Sequence, residues 1–423
     1  RLMQVKKSKD FDYENFEQEA LKGMYAGQSL EQVLGPLLKR LVEAGLQGEL
    51  QAHLEEEKES GSKNRRNGKT GKTVRSRFGE LQIETPRDRL GTYDPVLVAK
   101  HERTLGTSAL LPGTPGTLHL RKGSGYAYCY RVYYPAPGKQ AETLVGREDD
   151  IAAREAMRSQ MDFSEWSLAQ VVALRKLGFQ VADKQTARVL VELHNLGAFE
   201  AGLVLVGTLS YMAWLNELGA IAVTARTQDI DLARRQRLKL AAPISFLRTL
   251  QATGLPFVEV PGLPSSKPST SVKLPGVQAL RVDVLAPGQP IGSIIQIPEL
   301  DWAAQGVPHY DYLLEAPEPG ALLAGGHCIP VRLPQAARFV WHKLYSSTQR
   351  SCFPEKAAKD RQQALTLAAA LIEHDPAALK DAWLCAPSAM ATTIIPLKES
   401  LLARLDAHPV LRDTLNDCLR ATS

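Results

Sequence analysis

Leu203-Val204-Leu205-Val206-Gly207-Thr208-Leu209-Ser210 is the stretch on which the fold turns. Four apolar residues close on Gly-Thr and lead into a second apolar segment, the pattern of a buried strand that turns at a glycine into a buried helix. The surrounding segment, Ala201 to Val223, carries a single charge, Glu217, and matches the ~20-residue length of a membrane span. Asn216, Glu217, three glycines and the lack of a Lys or Arg anchor ahead of it argue against insertion, so no membrane partner is expected. Downstream, Thr227-Gln228-Asp229-Ile230-Asp231-Leu232 alternates, which sends both acids to one face of a strand. A third acid, Asp283, stands inside Leu280-Arg281-Val282-Asp283-Val284-Leu285, again strand-like. Three carboxylates converging from neighbouring strands make a nest of oxygen ligands for Mg²⁺ (or Mn²⁺), and a Gly-Thr turn opening a helix offers N–H groups and a hydroxyl to a triphosphate. These are the parts that phosphoryl or nucleotidyl transfer requires.

With 423 residues, 44% hydrophobic and 23% charged, the chain has room for two or three domains of ordinary globular composition. Its net charge of +5 says little, but the run from Lys63 to Arg77 holds seven basic residues and no acid, a local field suited to phosphate backbones. Cys129, Cys328, Cys352, Cys385 and Cys418 are scattered without zinc-ligand spacing, as expected of thiols in a reducing, cytoplasmic setting. Gly68-Lys69-Thr70-Gly71-Lys72-Thr73 lacks the leading glycine of a nucleotide-binding P-loop. A capping-box start at Ser29 and Gln32 predicts a helix running toward Glu57, then a loop over 59–71 and a strand at 81–85 that stops at Pro86. Further on, a hairpin spans 125–145, helices cover 149–161, 168–177, 184–196, 241–254 and 334–347, and the last 70 or so residues read as a helical bundle. Tyrosines in the hairpin are read as packing residues.

The segments around Ala20-Leu21-Lys22-Gly23-Met24, Asn67-Gly68-Lys69-Thr70 and Glu84-Thr85-Pro86-Arg87-Asp88-Arg89 resemble the N-terminal part of mutator-type insertion-sequence transposases, over about 18–105. That resemblance implies contact with DNA through Arg65, Arg66, Lys69, Lys72, Arg75 and Arg77, without the transposase catalytic domain. From about 115 to 375 the chain is similar to a little-described bacterial family of nucleotidyltransferase-fold proteins related to polymerase β. The match rests on Val206-Gly207-Thr208, Asp229-Ile230-Asp231, Val282-Asp283-Val284 and His342-Lys343-Leu344, followed by Arg350, Lys356, Lys359 and Asp360. It implies an enzyme moving a nucleoside monophosphate from an NTP to a hydroxyl of RNA, protein or a small molecule. Asp229, Asp231 and Asp283 would hold metal and carry catalysis, while Gly207, Thr208, Ser210 and Lys343 would bind the nucleotide; His342 is expected to be structural. The alternative is a transposase-derived DNA binder with a passive nucleotidyltransferase fold. The expected fold class is α+β: a transposase-like helical and basic segment at 1–105, a linker and hairpin at 106–160, a mixed-sheet core at 161–295, and a C-terminal helical domain at 296–423.

Overall fold

A computed structural model describes residues 39, 43, 46–48, 50–51, 53–55, 57–58, 62, 64–76, 79–90 and 109–420, without 123–125, 137, 224, 241, 263 and 278. Two compact units divide the chain, Arg1–Ser108 and Ala109–Ser423.

In the first unit, the described residues between 39 and 58 are helical, with Leu46 and Leu50 fully buried one turn apart. An antiparallel hairpin follows, β1 (Arg66–Ser76) and β2 (Gly79–Asp88). The predicted loop over 59–71 is corrected from residue 66 onward, and the strand does not stop at Pro86. In a two-stranded hairpin every strand is an edge, so Pro86 opposite Lys69 forfeits no essential ladder bond. Lys69 ion-pairs across the hairpin with Glu84 at 2.7 Å, and Glu43 on the helix accepts from the Glu84 N–H.

The second unit begins with a three-stranded antiparallel sheet, β3 (Thr117–Lys122), β4 (Ala127–Ala136) and β5 (Lys139–Arg147), with β4 central. The separate helices expected at 149–161 and 168–177 are one continuous helix, α1 (Ile151–Lys176), capped by the Asp150 carboxylate. Next come α2 (Lys184–Asn195), the strand β6 (Leu203–Val206) and α3 (Gly207–Glu217), as the opening stretch requires. Residues 209–215 of α3 are all buried, and the Trp214 indole donates to the Pro334 carbonyl, so this apolar helix is an interior one. Among the described residues no helix is long and apolar enough to cross a membrane.

The main sheet is mixed. β7 (Asp229–Arg234) lies between β6, antiparallel to it, and β10 (Arg281–Pro287), parallel to it. The opposite edge of β10 is shared by β9 (Ser271–Lys273), which continues to β8 (Val258–Glu259), and by β12 (Trp302–Val307), which continues to β11 (Ile294–Ile297). Between β7 and β8, the helix expected at 241–254 is shorter, α4 (Phe246–Ala252). The sheet thus extends past residue 295. After a single turn, α5 (Tyr310–Leu313), a hairpin of β13 (Glu318–Ala324) and β14 (His327–Leu333) precedes α6 (Ala336–Thr348) and α7 (Pro354–His374). A wholly helical region from 296 is therefore corrected: strands occupy much of 302–333, and helices dominate from 336. The remaining short helices are α8 (Ala378–Leu384), α9 (Ser388–Ile394), α10 (Lys398–Leu402) and α11 (Pro409–Cys418). They dock through Trp341, whose ring lies 4.4 Å from that of Trp383 and whose N–H donates to Leu379.

Candidate active site

The antiparallel register of β6 and β7 sets Val206 opposite Asp231, so the turn at Gly207 passes beside the Asp231 side chain. Gly207 has φ of +69°, and a Cβ there would overlap Oδ2 of Asp231. Both facts demand glycine: the left-handed backbone and the space filled by the carboxylate. The interval from Thr208 to Asp229 is taken up by α3 and the return segment after it.

Across the parallel ladder Asp231 faces Asp283, while Asp229 faces Arg281. Residues two apart on a strand share a face, so Asp229, Asp231, Arg281 and Asp283 all stand on one side of the sheet. Their carboxylate oxygens do not form a group mutually within 4.8 Å; among the described residues the group that does is His53, Glu57 and Asp88. Asp283 is held: the Arg281 Nε is 2.8 Å from its Oδ1, the Ser271 hydroxyl donates to the same oxygen, and Arg281 Nη2 donates to Ser271 at 2.7 Å. Asp229 is exposed and its backbone N–H is fixed by the Thr227 hydroxyl. Asp231 has no such partner among the described residues. Burial first, then the neighbouring charges of Asp283 and Asp229, push its carboxyl up to about 7, against the opposing fields of Lys343 and Arg350.

On α6, Lys343 is buried and its Nζ donates to Oδ1 of Asp360 on α7 at 2.9 Å. Arg350 Nε lies 2.7 Å from Oδ2 of Asp360, an ion pair that is not aligned as a hydrogen bond and leaves that buried oxygen without a donor. Lys359, adjacent in sequence, is exposed; burial of its stem and the charge of Lys343 lower its pKa, while Asp360, Asp229 and Asp231 oppose the change. The carboxylate face and this cationic cluster therefore act on one another. Tyr310 is buried beside them, its phenol raised by burial and by Asp231.

His342 is kept neutral, its pKa pushed down to about 4 by burial. Nε2 donates to the Pro308 carbonyl at 3.3 Å, which leaves Nδ1 to accept from Ser346 at 3.3 Å; the ring packs edge-on against Tyr310. It is a packing residue. Thr208 is partly exposed in the first turn of α3, whereas Ser210 is fully buried with an unpartnered hydroxyl and does not reach solvent. Sequence reasoning passed over Arg281 and Ser271. The period-2 spacing of Arg281 and Asp283 is a signal for the former; only the β9–β10 pairing reveals the latter.

In the first unit, Arg65, Arg66 and Lys69 are exposed, but Arg66 donates to Gln47 and Gln51 and Lys69 is paired with Glu84. The side chains of Lys72 and Arg75, and Arg77 entirely, lie outside the described residues.

Comparison with known proteins matches a different family within each of the two units. Residues 184–387 match the family model described as Nucleotidyltransferase, a span containing Gly207, all three aspartates, Lys343 and Asp360. Residues 9–108 match Transposase, Mutator family. The chain is 40% identical over 94 residues to a transposase for insertion sequence element ISRM3 of Rhizobium meliloti (strain 1021), covering 21% of this chain and 24% of the relative. It is 39% identical over 94 residues to a probable transposase for an ISRM3-like element of Sinorhizobium fredii (strain NBRC 101917 / NGR234), with the same coverage. The chain thus spans about a quarter of the length of these relatives. No solved structure matches significantly.

Proposed function

We propose that the nucleotidyltransferase-family domain at residues 184–387 is a working enzyme that transfers a nucleoside monophosphate from an NTP to a hydroxyl acceptor. The observation that carries this reading is the register of β7 and β10, which sets Asp231 against Asp283 beside the obligatory Gly207. The Asp231 carboxyl is raised first by burial and then by two like charges, with no direct cationic partner among the described residues, an arrangement that a divalent cation relieves. Asp229, Asp231 and Asp283 are the residues to hold that ion, Mg²⁺ or Mn²⁺, which when bound neutralises phosphate charge and acidifies the attacking hydroxyl.

The chain's own groups do the rest. The free N–H groups at the start of α3, with the Thr208 hydroxyl, receive phosphate oxygens. Gly207 lets backbone and phosphate approach without a Cβ in between. Arg281 and Ser271 fix the Asp283 carboxylate in one orientation through its Oδ1. Asp360 positions the Lys343 ammonium and Arg350 guanidinium, and their field supports the developing negative charge of the leaving pyrophosphate. Ser210 supports α3 from inside.

Incubation with each α-³²P-labelled NTP, Mg²⁺ and total RNA or protein as acceptor tests the reading. Label from the α position, but not from the γ position, is expected to enter the acceptor, and Asp229→Ala and Asp283→Asn are expected to abolish transfer. Wild type indistinguishable from both variants with all four NTPs would sink it. A second reading, DNA binding by the first unit, is favoured by the exposed Arg65 and by the transposase match. Salt-sensitive retention on duplex DNA should then drop when Arg65, Arg66 and Lys69 are replaced by Gln.

A further inference from the structure

We propose that the outer face of the sheet β3–β5 binds single-stranded nucleic acid, stacking bases on a ladder of tyrosines. The register defines the face. His119 pairs with Tyr130 and Tyr130 with Leu144, while Arg121 pairs with Tyr128 and Tyr128 with Arg147. Cross-strand partners point to the same side, so Tyr128 and Tyr130, with Tyr126 and Tyr134 at the same parity, form one row along the central strand.

The opposite face is the packed one: Cys129 and Arg131 are buried at 1% and 2% exposure, whereas Tyr126 and Tyr134 are 55% and 49% exposed. Arg131 is committed inward, donating to the carbonyls of Pro112, Thr114 and Pro115. Among the described residues Tyr126 and Tyr134 are therefore open to solvent, and Tyr128 and Tyr130 between them are half-buried.

Two guanidinium planes flank the row. Arg121 lies over the Tyr130 ring at 5.5 Å and Arg147 over the Tyr126 ring at 4.2 Å. Between Thr117 and Arg147 the exposed cations Arg121, Lys122, Lys139 and Arg147 outnumber one acid, Glu142, which Arg121 bonds at 3.1 Å; just past β5, Asp149 pairs with Arg147 at 2.8 Å, and Lys139 donates to the Gly254 carbonyl at 3.4 Å. A phenol ring presents a π-face to any base, an adjacent guanidinium extends the stack, and the exposed ion pairs of Arg121 and Arg147 are weak enough to exchange their carboxylates for phosphates. A sheet built to bury apolar side chains against another protein would not string its outward face with arginine. This assignment stands independently of the transferase reading, since it concerns binding and not turnover.

The test is fluorescence anisotropy of the full chain with labelled oligouridylate of roughly a dozen nucleotides, the matching oligothymidylate and a duplex of the same length. Wild type is expected to bind both single strands, and Tyr126→Ala/Tyr134→Ala to raise Kd about tenfold or more. Both side chains are exposed, so the substitution leaves the core intact; an unchanged Tm verifies this. Arg65→Gln/Arg66→Gln/Lys69→Gln in the first unit is expected to lower duplex binding and to leave the tyrosine dependence of single-strand binding in place. Tighter binding of the ribo form adds a 2′-hydroxyl contact to the shared stacking chemistry; equal binding assigns the affinity to stacking and phosphates alone. The proposal is overturned if no single strand binds at low salt, or if the double tyrosine variant binds as wild type does.

Discussion

Asp231 sets the behaviour of the site at the scale of single residues. Its folded-state pKa is raised to about 7, so the folded chain holds this proton more tightly than the unfolded one. The group is fully compatible with folding below the unfolded carboxyl pKa, and stability is lost as pH rises through about 7. Asp231→Asn is therefore expected to leave Tm unchanged near pH 4 and to raise it above pH 7, by up to about 4 kcal/mol in stability. Melting curves across that range without divalent ions check this; a variant less stable than wild type at pH 8 would contradict it. Gly207→Ala should lower stability by about 1–3 kcal/mol and abolish transfer, because the backbone is left-handed and the Cβ meets Asp231. Asp360→Asn strips the compensating charge from buried Lys343, and a loss of about 3–5 kcal/mol is expected in chemical denaturation. Adding Lys343→Met to that variant should recover much of the loss, and simple additivity would argue against a coupled pair. The aspartates and Gly-Thr were legible in the sequence because alternation and an apolar run are local signals. The Lys343–Asp360–Arg350 cluster was legible only as separate charges, since helix packing makes the pairing.

Elements followed the same rule. β6 and α3 were readable because every residue from 203 to 206 and from 209 to 215 is apolar or small and buried. β1 was not, because a run of Lys, Arg, Gly and Thr carries no apolar alternation; its strand state comes from pairing with β2 and from the Lys69–Glu84 bridge. β12 to β14 were missed for a different reason: short runs interrupted by Gly and Pro gain their strand conformation from neighbours distant in sequence. Arg131 shows what such tertiary contacts do, since one buried guanidinium binds three carbonyls of the segment ahead of β3 and stacks on Tyr133 at 4.0 Å. Arg131→Met should free that segment, and hydrogen exchange of the Gly113, Thr114 and Gly116 amides is expected to accelerate tenfold or more, roughly the loss of one to two net hydrogen bonds. Unchanged protection would mean that the turn holds itself.

Over the whole molecule, the two units match different families: residues 9–108 the mutator-family transposase model and residues 184–387 the nucleotidyltransferase model. Each has its own buried side chains, so residues 109–423 produced alone should melt cooperatively and keep any nucleotidyl transfer. Loss of both on removing the first unit would show that they depend on each other. The carboxylate face, the start of α3 and the Lys343–Asp360–Arg350 cluster all belong to the second unit, and the central claim is that together they form one cation-dependent nucleotide site. Calorimetric titration of the full chain with NTP, in the presence and absence of Mg²⁺, tests this most directly. The expected result is binding that requires Mg²⁺ in wild type and is lost in Asp231→Asn and Asp283→Asn, with both variants still folded. Binding of equal strength without Mg²⁺, or retained in both variants, would contradict it.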